Sequence, residues 1–241
     1  SGNGNHGIIN GATYSQNVPE QNCIENNPFS NQGLNDGLVA YYPFDGNAND
    51  ESGNENNGTV NGATLSTDRY GNYDSAYDFD GIDDNISISN NSSVTILGDL
   101  TISSWINTRG DNGSDYQAIV SKRAEYYNWE YWAGVSFHDG IIHDNKFITA
   151  KGAGPNNQDQ LWSVEPIEVN TWEHWTVVYH GDSIKLYRNG SLDAKRENTI
   201  QPSAQDCNLL IGQSLSESIN TQFFGSLDEI GIWNRALTEN E

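Results

Sequence analysis

The chain has 241 residues, and 33 acidic against 11 basic residues give it a formal charge of −22. A field of this sign repels nucleic acid and anionic lipid, so neither is expected as a partner. No apolar run approaches the roughly 18 residues that a membrane-spanning helix needs, and membrane insertion is therefore not expected. A chain of this length fits a single all-β sandwich, and we expect one main domain.

The first residues of the chain recur within it. Residues 1–16 and 52–67 are identical at ten of sixteen positions. Because the spacing is too short for two complete sandwich domains, the match indicates a partial duplication. The first copy either adds an edge strand or belongs to an upstream unit. Residues 17–37, rich in Asn and with two prolines, are typical of a linker. We therefore assign residues 1–37 to an N-terminal extension and residues 38–241 to the main domain.

From residue 38 the chain is a series of short β-type segments separated by Gly, Asn and Asp. Thirteen such segments and no persuasive amphipathic helix predict an all-β, two-sheet antiparallel sandwich or jelly roll. Asn189 and Gly190 give the strongest hairpin signal in the chain. A single helical turn is expected at residues 234–239. The predicted strands are 38–44, 58–65, 76–79, 85–89, 100–107, 117–122, 132–138, 146–149, 160–163, 172–179, 184–188, 208–212 and 225–233.

Two acidic loops, residues 42–50 and 77–84, dominate the first half of the chain. Between Asp36 and Asp99 there are ten Asp and two Glu but one basic residue, Arg69. Carboxylates this crowded need a cation unless they are widely separated, and a hard divalent ion is the natural one. Gly46 and Gly81 allow tight turns that aim backbone carbonyls inward.

Six blocks of the sequence, in order, resemble the laminin G-like, concanavalin A-like jelly-roll domains of bacterial secreted proteins. They are residues 38–54, 79–84, 100–106, 172–179, 184–190 and 225–237. The resemblance implies two curved antiparallel sheets. It says less about function, because such domains include sugar-binding modules, adhesion domains and spacers.

The resemblance also implies a structural calcium ion where the opening loop, the Phe-Asp-Gly turn and the last strand converge. Carried over by position, Asp45, Asp50 and Asp228 would supply side-chain oxygens and Gly81 a backbone carbonyl. Calcium suits such a site because it accepts six to eight oxygens in irregular geometry. Weaker candidate ligands are Asp80, Asp83, Asp84 and Glu229.

The densest aromatic run spans residues 126–132 and departs from the small-residue loop that such domains tend to have there. Sugar rings stack their apolar faces on aromatic side chains, while their hydroxyls need amides, carboxylates or Arg. The loop offers both kinds of group, in Arg123, Tyr126, Tyr127, Asn128, Trp129 and Glu130. The alternative is that alternate rings plug the end of the sandwich. Four other tryptophans, Trp105, Trp172, Trp175 and Trp233, are expected in core or inter-sheet packing.

Cys23 and Cys207 are the two cysteines of the chain. We favour a long-range disulfide over two buried thiols, because the acidic, Asn-rich, Lys-poor composition is typical of extracellular proteins, in which disulfides persist. The same composition predicts a secreted or cell-surface location.

Catalysis is not expected. Glucanases of similar fold place Glu-x-Asp and a following Glu on one strand, and no such run is present, nor is a nucleophile elbow or a phosphate loop. We therefore predict a non-catalytic, calcium-stabilised carbohydrate-binding module of a secreted enzyme or adhesin, with a polysaccharide or other glycan as partner. The alternative is an adhesion or spacer domain that contacts a protein surface.

Overall fold

A computed structural model describes residues 32–125, 128–137, 145–152, 158–197, 200–214 and 221–241. These ranges contain one short helix, α1, and fifteen strands, numbered here in chain order. They are α1 (Gln32–Asn35), β1 (Leu38–Tyr42), β2 (Gly58–Asn61), β3 (Thr64–Ser66), β4 (Ala76–Asp80), β5 (Asn85–Ile88), β6 (Leu100–Thr108), β7 (Tyr116–Glu125), β8 (Asn128–Ser136), β9 (Lys146–Gly152), β10 (Gln158–Trp162), β11 (Glu173–His180), β12 (Ser183–Arg188), β13 (Ser191–Glu197), β14 (Leu209–Ile211) and β15 (Phe224–Trp233).

The strands form two antiparallel sheets. The eight-stranded sheet has the order β13-β12-β11-β6-β15-β4-β3, and β1 pairs with the second half of β15 beyond the end of β4. The seven-stranded sheet has the order β10-β9-β8-β7-β14-β5-β2. This arrangement confirms the predicted all-β jelly-roll sandwich.

The core lies between the two sheets and follows the two-residue period of the strands. On β11, Trp175 and Val177 face the core, and Thr176 between them faces outward. Trp175 is fully buried and stacks on Phe147 of the opposite sheet, with ring centroids 4.6 Å apart. Such contacts between the inner faces hold the sheets together.

Two of the predicted elements differ from the structure. Residues 58–65, expected as one strand, form β2 in one sheet and β3 in the other, because Gly62 turns the chain with a φ of 81°. A side chain at Gly62 would collide with Asp84 Oδ1, so the turn requires glycine. The segment 234–239 contains no helix.

Two tryptophans predicted in the core lie instead on the outer face of the eight-stranded sheet. Trp105 is half-buried beneath the guanidinium of Arg69. Trp233 is buried, but its indole N–H donates to the carbonyl of Leu34 at 2.7 Å. The core prediction is wrong for Trp105, whereas Trp233 is buried as expected but not between the sheets. The inward positions of both strands belong to the flanking isoleucines. The core prediction holds for Trp175.

Residues that precede β1 pack on the end of β15. Arg235 donates to the carbonyls of Gly33 and Asp36, and the backbone N–H of Asn234 donates to the carbonyl of Gly37. The packed unit therefore includes residues on the N-terminal side of the predicted boundary at residue 38. Within the ranges given above, no helix has the length and apolar character needed to cross a membrane.

Candidate functional site

Asp50, one of the predicted calcium ligands, is a turn cap. Its Oδ1 accepts hydrogen bonds from the backbone N–H groups of Tyr41 and Ser52, both at 2.9 Å. Its Oδ2 accepts from the Ser52 hydroxyl at 2.8 Å and from the Asn56 N–H at 3.0 Å. Four donors fill the acceptor positions of one carboxylate. An ion could bind here only by displacing protein hydrogen bonds.

Asp228, a second predicted ligand, is neutralised by a protein cation. Its Oδ2 lies 2.8 Å from Arg69 Nη1, and Glu229 Oε2 lies 2.8 Å from Arg69 Nη2. Arg69 is the single basic residue between positions 36 and 99, so it supplies charge that we had assigned to calcium. The Gly81 carbonyl accepts from the Asn112 amide at 2.9 Å. These groups do not fit a shared calcium site.

A different acidic cluster is the better fit for a cation. Asp80, Asp83 and Asp84 each place one carboxylate oxygen within 4.8 Å of the others. In the described ranges they are the sole group of three acidic, histidine or cysteine side chains that is this close, and Asp45 is not part of it. Burial, together with the charges of Asp80 and Asp83, raises the pKa of Asp84, whereas a hydrogen bond from the Asp80 N–H opposes the rise.

The predicted aromatic surface is only partly described, and its described side chains are buried. Tyr126, Tyr127 and the side chain of Asn128 lie outside the described residues. Trp129 is 9% exposed and packs in a cluster that also contains Ala118, Trp132, Ile148 and Ala150. The guanidinium of Arg123, 5% exposed, lies 5.3 Å from the centre of the Trp129 ring.

Glu130 links two loops inside the protein. Its Oε1 accepts from the Ile96 N–H at 2.6 Å, and its Oε2 accepts from the Gln205 N–H at 3.0 Å. Burial raises the pKa of this fully buried carboxyl, while the two backbone bonds and Lys122 oppose the rise. Neither Trp129 nor Glu130 presents an open face to a ligand, so these two residues act as packing and cross-linking groups.

A groove of about 510 Å³ lies on the outer face of the eight-stranded sheet. Strands β1, β15, β6, β11 and β12 supply its floor, and the loop between β3 and β4 forms one wall. Its lining combines aromatic rings with hydrogen-bonding groups, which is the composition of small-ligand sites. Among the lining residues are Tyr41, Tyr70, Ser103, His174, Tyr187 and Glu229.

A stack of flat groups forms the wall of this groove. The guanidinium carbon of Arg69 lies 4.3 Å from the ring centre of Tyr70 and 4.4 Å from that of Trp105. The Trp105 and His174 rings follow, with centroids 5.2 Å apart. Tyr70 ends the stack and is 74% exposed. One face of Arg69 therefore supports an aromatic ring that is open to solvent.

The loop that delivers Arg69 and Tyr70 is shaped by Asp68. Asp68 Oδ1 accepts from the N–H groups of Tyr70 and Asn72, each at 2.8 Å, and Oδ2 accepts from the Asn72 amide. An Asp side chain that binds the backbone two residues later stabilises a tight turn. The position of Tyr70 is thus fixed by the loop as well as by the stack.

A β-bulge brings both acidic partners to Arg69. The register between β15 and β6 breaks between Asp228 and Gly231, and Glu229 has a φ of 47°. Bulges re-aim side chains, and a non-glycine residue in the left-handed region is a strained conformation typical of functional sites. Burial raises the pKa of Asp228 to about 7, and Glu229 adds to the rise while Arg69 opposes it. Asp228 Oδ1 is buried without a hydrogen bond.

His174 is a neutral hydrogen-bonding group in the groove. Its Nε2 lies 2.7 Å from the Ser103 hydroxyl oxygen. Burial, reinforced by the positive charge of Arg69, lowers the pKa of His174 to about 4. At neutral pH the imidazole is therefore uncharged, and it can exchange hydrogen bonds with hydroxyl groups of a ligand.

The predicted disulfide is only half described. Within the described residues Cys207 has no disulfide partner; it is partly exposed, and burial raises the pKa of its thiol. Cys23, its predicted partner, lies outside the described residues. The bond therefore stays a prediction.

Comparison with known families decides the family. Residues 80–241 match the model of the concanavalin A-like lectin/glucanases superfamily. The chain belongs to this superfamily. Among curated proteins, no sequence matches it.

Several solved structures have a fold similar to that of this chain. Domain 4 of AbnA, an extracellular arabinanase from Geobacillus stearothermophilus solved with arabinotriose, superimposes with a TM-score of 0.66 at 17% identity, over 84% of this chain and 95% of that one. The binding domain of Paraclostridial Mosquitocidal Protein 1 gives 0.68 at 19% identity, over 86% and 51%. The binding domain of botulinum neurotoxin DC, solved with rat synaptotagmin II, gives 0.61 at 13% identity, over 86% and 50%. The chain thus spans about half the length of the two toxin domains.

The groove on the eight-stranded sheet was not predicted from the sequence. One signal in the sequence did point to it: Arg69 is the one basic residue between positions 36 and 99, and it stands next to Tyr70. A lone cation in such surroundings predicts ion pairs with acidic residues. That those residues are Asp228 and Glu229 depends on a long-range strand pairing that spacing does not reveal.

Proposed function

We propose that the chain is a non-catalytic carbohydrate-binding module of a secreted enzyme or adhesin, and that the groove on the eight-stranded sheet receives the glycan. The observation that carries the proposal is the Tyr70 ring, which is 74% exposed and backed by Arg69 at 4.3 Å. A rigid, solvent-facing ring beside hydrogen-bonding groups is what a sugar requires.

The chemistry of the groove matches both sides of a sugar ring. The apolar C–H face would stack on Tyr70. Hydroxyl groups would bind the neutral imidazole of His174, the hydroxyl of Ser103 and the carboxylate of Glu229, whose side chain is 34% exposed. Because Arg69 already pairs with Glu229 and stacks on Tyr70, little conformational entropy is lost when the glycan binds.

The structural comparisons give supporting context. The arabinanase domain solved with arabinotriose has nearly the same extent as this chain, since 95% of it is covered. That domain comes from an extracellular enzyme, which agrees with the secreted location that we propose here. The predicted Trp129 surface is less suited to the role, because Trp129 and Glu130 are buried.

A glycan array followed by calorimetry on the best ligand tests the proposal. Tyr70→Ala should weaken binding by at least roughly two- to tenfold, since an aromatic contact contributes about 0.5–1.5 kcal/mol beyond the apolar area that it buries. Tyr73→Ala is the matched control, because Tyr73 is in the same loop, is 86% exposed and does not line the groove. Absence of any glycan ligand, or an equal loss in both variants, would contradict the proposal.

A protein partner is the second candidate function. Tyr73 is 86% exposed although it lies outside the groove, and a large exposed aromatic ring is a common anchor at protein interfaces. One neighbour of this fold was solved with a protein, rat synaptotagmin II. A protein ligand whose binding is lost in Tyr73→Ala and kept in Tyr70→Ala would favour this function.

We also propose that calcium binds at the turn of Asp80, Asp83 and Asp84. Three carboxylates within 4.8 Å of one another suit a hard cation such as calcium. Calcium should raise the unfolding midpoint of the wild type by several degrees at a hundredfold excess over its Kd. Asp83→Asn should abolish this shift, whereas Asp182→Asn, in an exposed turn elsewhere, should not. A wild-type midpoint that chelator leaves unchanged would rule calcium out.

A further inference from the structure

Residues 52–66 fill a slot at one edge of the sandwich, which we call the edge slot. Strand β2 pairs with β5 and ends the seven-stranded sheet, and β3 pairs with β4 and ends the eight-stranded sheet. One continuous segment thus closes the same side of both sheets. Within the part of the chain that the structure describes, each of its strands pairs with one other strand, so the segment can leave without breaking any other pairing there.

At certain positions the edge slot accepts only small residues. A Cβ at Gly58 would lie 2.5 Å from Cγ2 of Ile86, and one at Gly62 would collide with Asp84 Oδ1. Gly62 also has a φ of 81°, which favours glycine. Ala63, 7% exposed, packs into the main core. The slot therefore selects strongly at three positions.

The edge slot also requires particular polar side chains. The Ser52 hydroxyl donates to the Val39 carbonyl at 3.1 Å, and the Asn56 amide donates to it at 2.8 Å. The Asn54 amide donates to the carbonyls of Leu38 and Val39 at 2.8 and 3.1 Å. Three side chains thus converge on the Val39 carbonyl at the edge of β1, and Asn54 also binds the Leu38 carbonyl, so alanine at these positions would remove hydrogen bonds.

The first copy of the repeat carries the same residue at all six of these selective positions. They are Ser1, Asn3, Asn5, Gly7, Gly11 and Ala12, which match Ser52, Asn54, Asn56, Gly58, Gly62 and Ala63. Two differences fall on side chains that make contacts: Asn57 Oδ1 accepts from the Asp50 N–H at 2.9 Å and corresponds to His6, and Leu65 packs against the core and corresponds to Tyr14. Others fall where the slot is tolerant. Glu55 has a φ of 59°, and its counterpart is Gly4. Glycine tolerates a positive φ with less strain than glutamate. The exposed Thr59 corresponds to Ile8.

We propose that the edge slot is a binding site for residues 1–15 of the same chain, which compete with residues 52–66 for it. Ten identities scattered over sixteen positions would not by themselves imply this. The retention of the same residue at these six selective positions does, because a duplication that had lost its binding role would vary at those positions as freely as at others.

We favour residues 1–15 of the same chain, over those of a second molecule, as the competing occupant of the edge slot. Residues 16–31, which link the first copy to α1, can extend to roughly 55 Å, which exceeds the width of roughly 45 Å expected for a domain of this size. A tethered segment has an effective concentration in the millimolar range. Residues 52–66 are held at both ends by folded strands, whereas residues 1–15 must close a longer loop, which explains why residues 52–66 fill the slot in the wild type.

A double-mutant cycle in the full chain tests the proposal. Gly11→Ala alone should leave the unfolding midpoint unchanged, and Gly62→Ala alone should lower it slightly, because residues 1–15 take over the slot. The double variant should lose several degrees more than the two single losses combined. Hydrogen exchange should show protection moving from residues 58–66 to residues 7–15 in Gly62→Ala.

Gly181→Ala is the matched control, because Gly181 has a φ of 56°, no neighbouring atom within 4 Å of an added Cβ and no counterpart in the repeat. Its effect should be the same with and without Gly11→Ala. Gly7→Ala with Gly58→Ala forms a second cycle, in case Gly62→Ala costs too little to measure. Additive losses in both cycles, or rescue that grows with protein concentration, would overturn the proposal.

Discussion

The two outer faces of the sandwich use aromatic residues in opposite ways. On the eight-stranded sheet, Tyr70 ends a stack above Arg69 and Trp105 and is 74% exposed. On the seven-stranded sheet, Trp129 and Trp132 are 9% and 5% exposed and pack together with aliphatic residues. Aromatic density in the sequence is greater at the second face, so density does not identify a ligand surface. What distinguishes the faces is whether a neighbouring group supports a ring and leaves its other side open.

Trp129→Ala should give the largest effect of the changes that separate the two faces. Truncating a buried tryptophan removes its packing and leaves a cavity, and we expect a loss of about 3–5 kcal/mol in the free energy of unfolding. Tyr70→Ala should change that free energy by less than about 0.5 kcal/mol, because the ring is exposed. Urea unfolding of both variants measures the contrast. Similar losses in the two variants would mean that the faces do not differ as described.

Arg69→Met should give the next largest effect, because it leaves Asp228 buried beside Glu229 without a cation. Removing one partner of a buried ion pair costs about 3 kcal/mol or more. It should also weaken glycan binding, since the support beneath Tyr70 is lost. Adding Asp228→Asn should restore part of the stability, whereas Trp129→Ala combined with Asp228→Asn should show no such recovery. A double variant no more stable than Arg69→Met would contradict the ion-pair account.

Alternation along strands predicted the sandwich, but the same alternation was not applied to every tryptophan. On β6, Ile102 and Ile106 occupy the core, so Trp105 between them had to face outward. Alternation along β6 therefore predicts, from the sequence alone, that Trp105 faces outward. The pairing of Asp228 with Arg69 could not be predicted in the same way. The two residues are 159 positions apart in the chain, and their proximity depends on a strand pairing and a bulge. Excess carboxylate correctly indicated a need for positive charge, but it could not distinguish arginine from calcium.

The pH dependence of stability tests the electrostatics of the groove most directly. In the wild type it should be the smallest of the effects. The pKa of His174 is lowered to about 4 from an ordinary value of 6.5. Between these values the unfolded chain binds a proton that the folded chain does not, so acidification from pH 6.5 to 4 destabilises the fold. The pKa of Asp228 is raised to about 7 from 3.8. Between those values the folded chain holds the extra proton, so acidification from pH 7 to 3.8 stabilises it.

The two contributions oppose each other over nearly the same range, and together they should largely cancel in the wild type. Removing either one exposes the other. His174→Gln should gain stability relative to wild type as the pH falls from 7 to 4.5, and Asp228→Asn should lose it. Urea unfolding at the two pH values, with Trp129→Ala as a variant distant from both groups, measures the difference. Parallel pH profiles for all variants would mean that neither group is perturbed by the groove. Opposite slopes would show that its floor holds an uncharged histidine and a carboxyl that resists ionisation, side by side with one arginine.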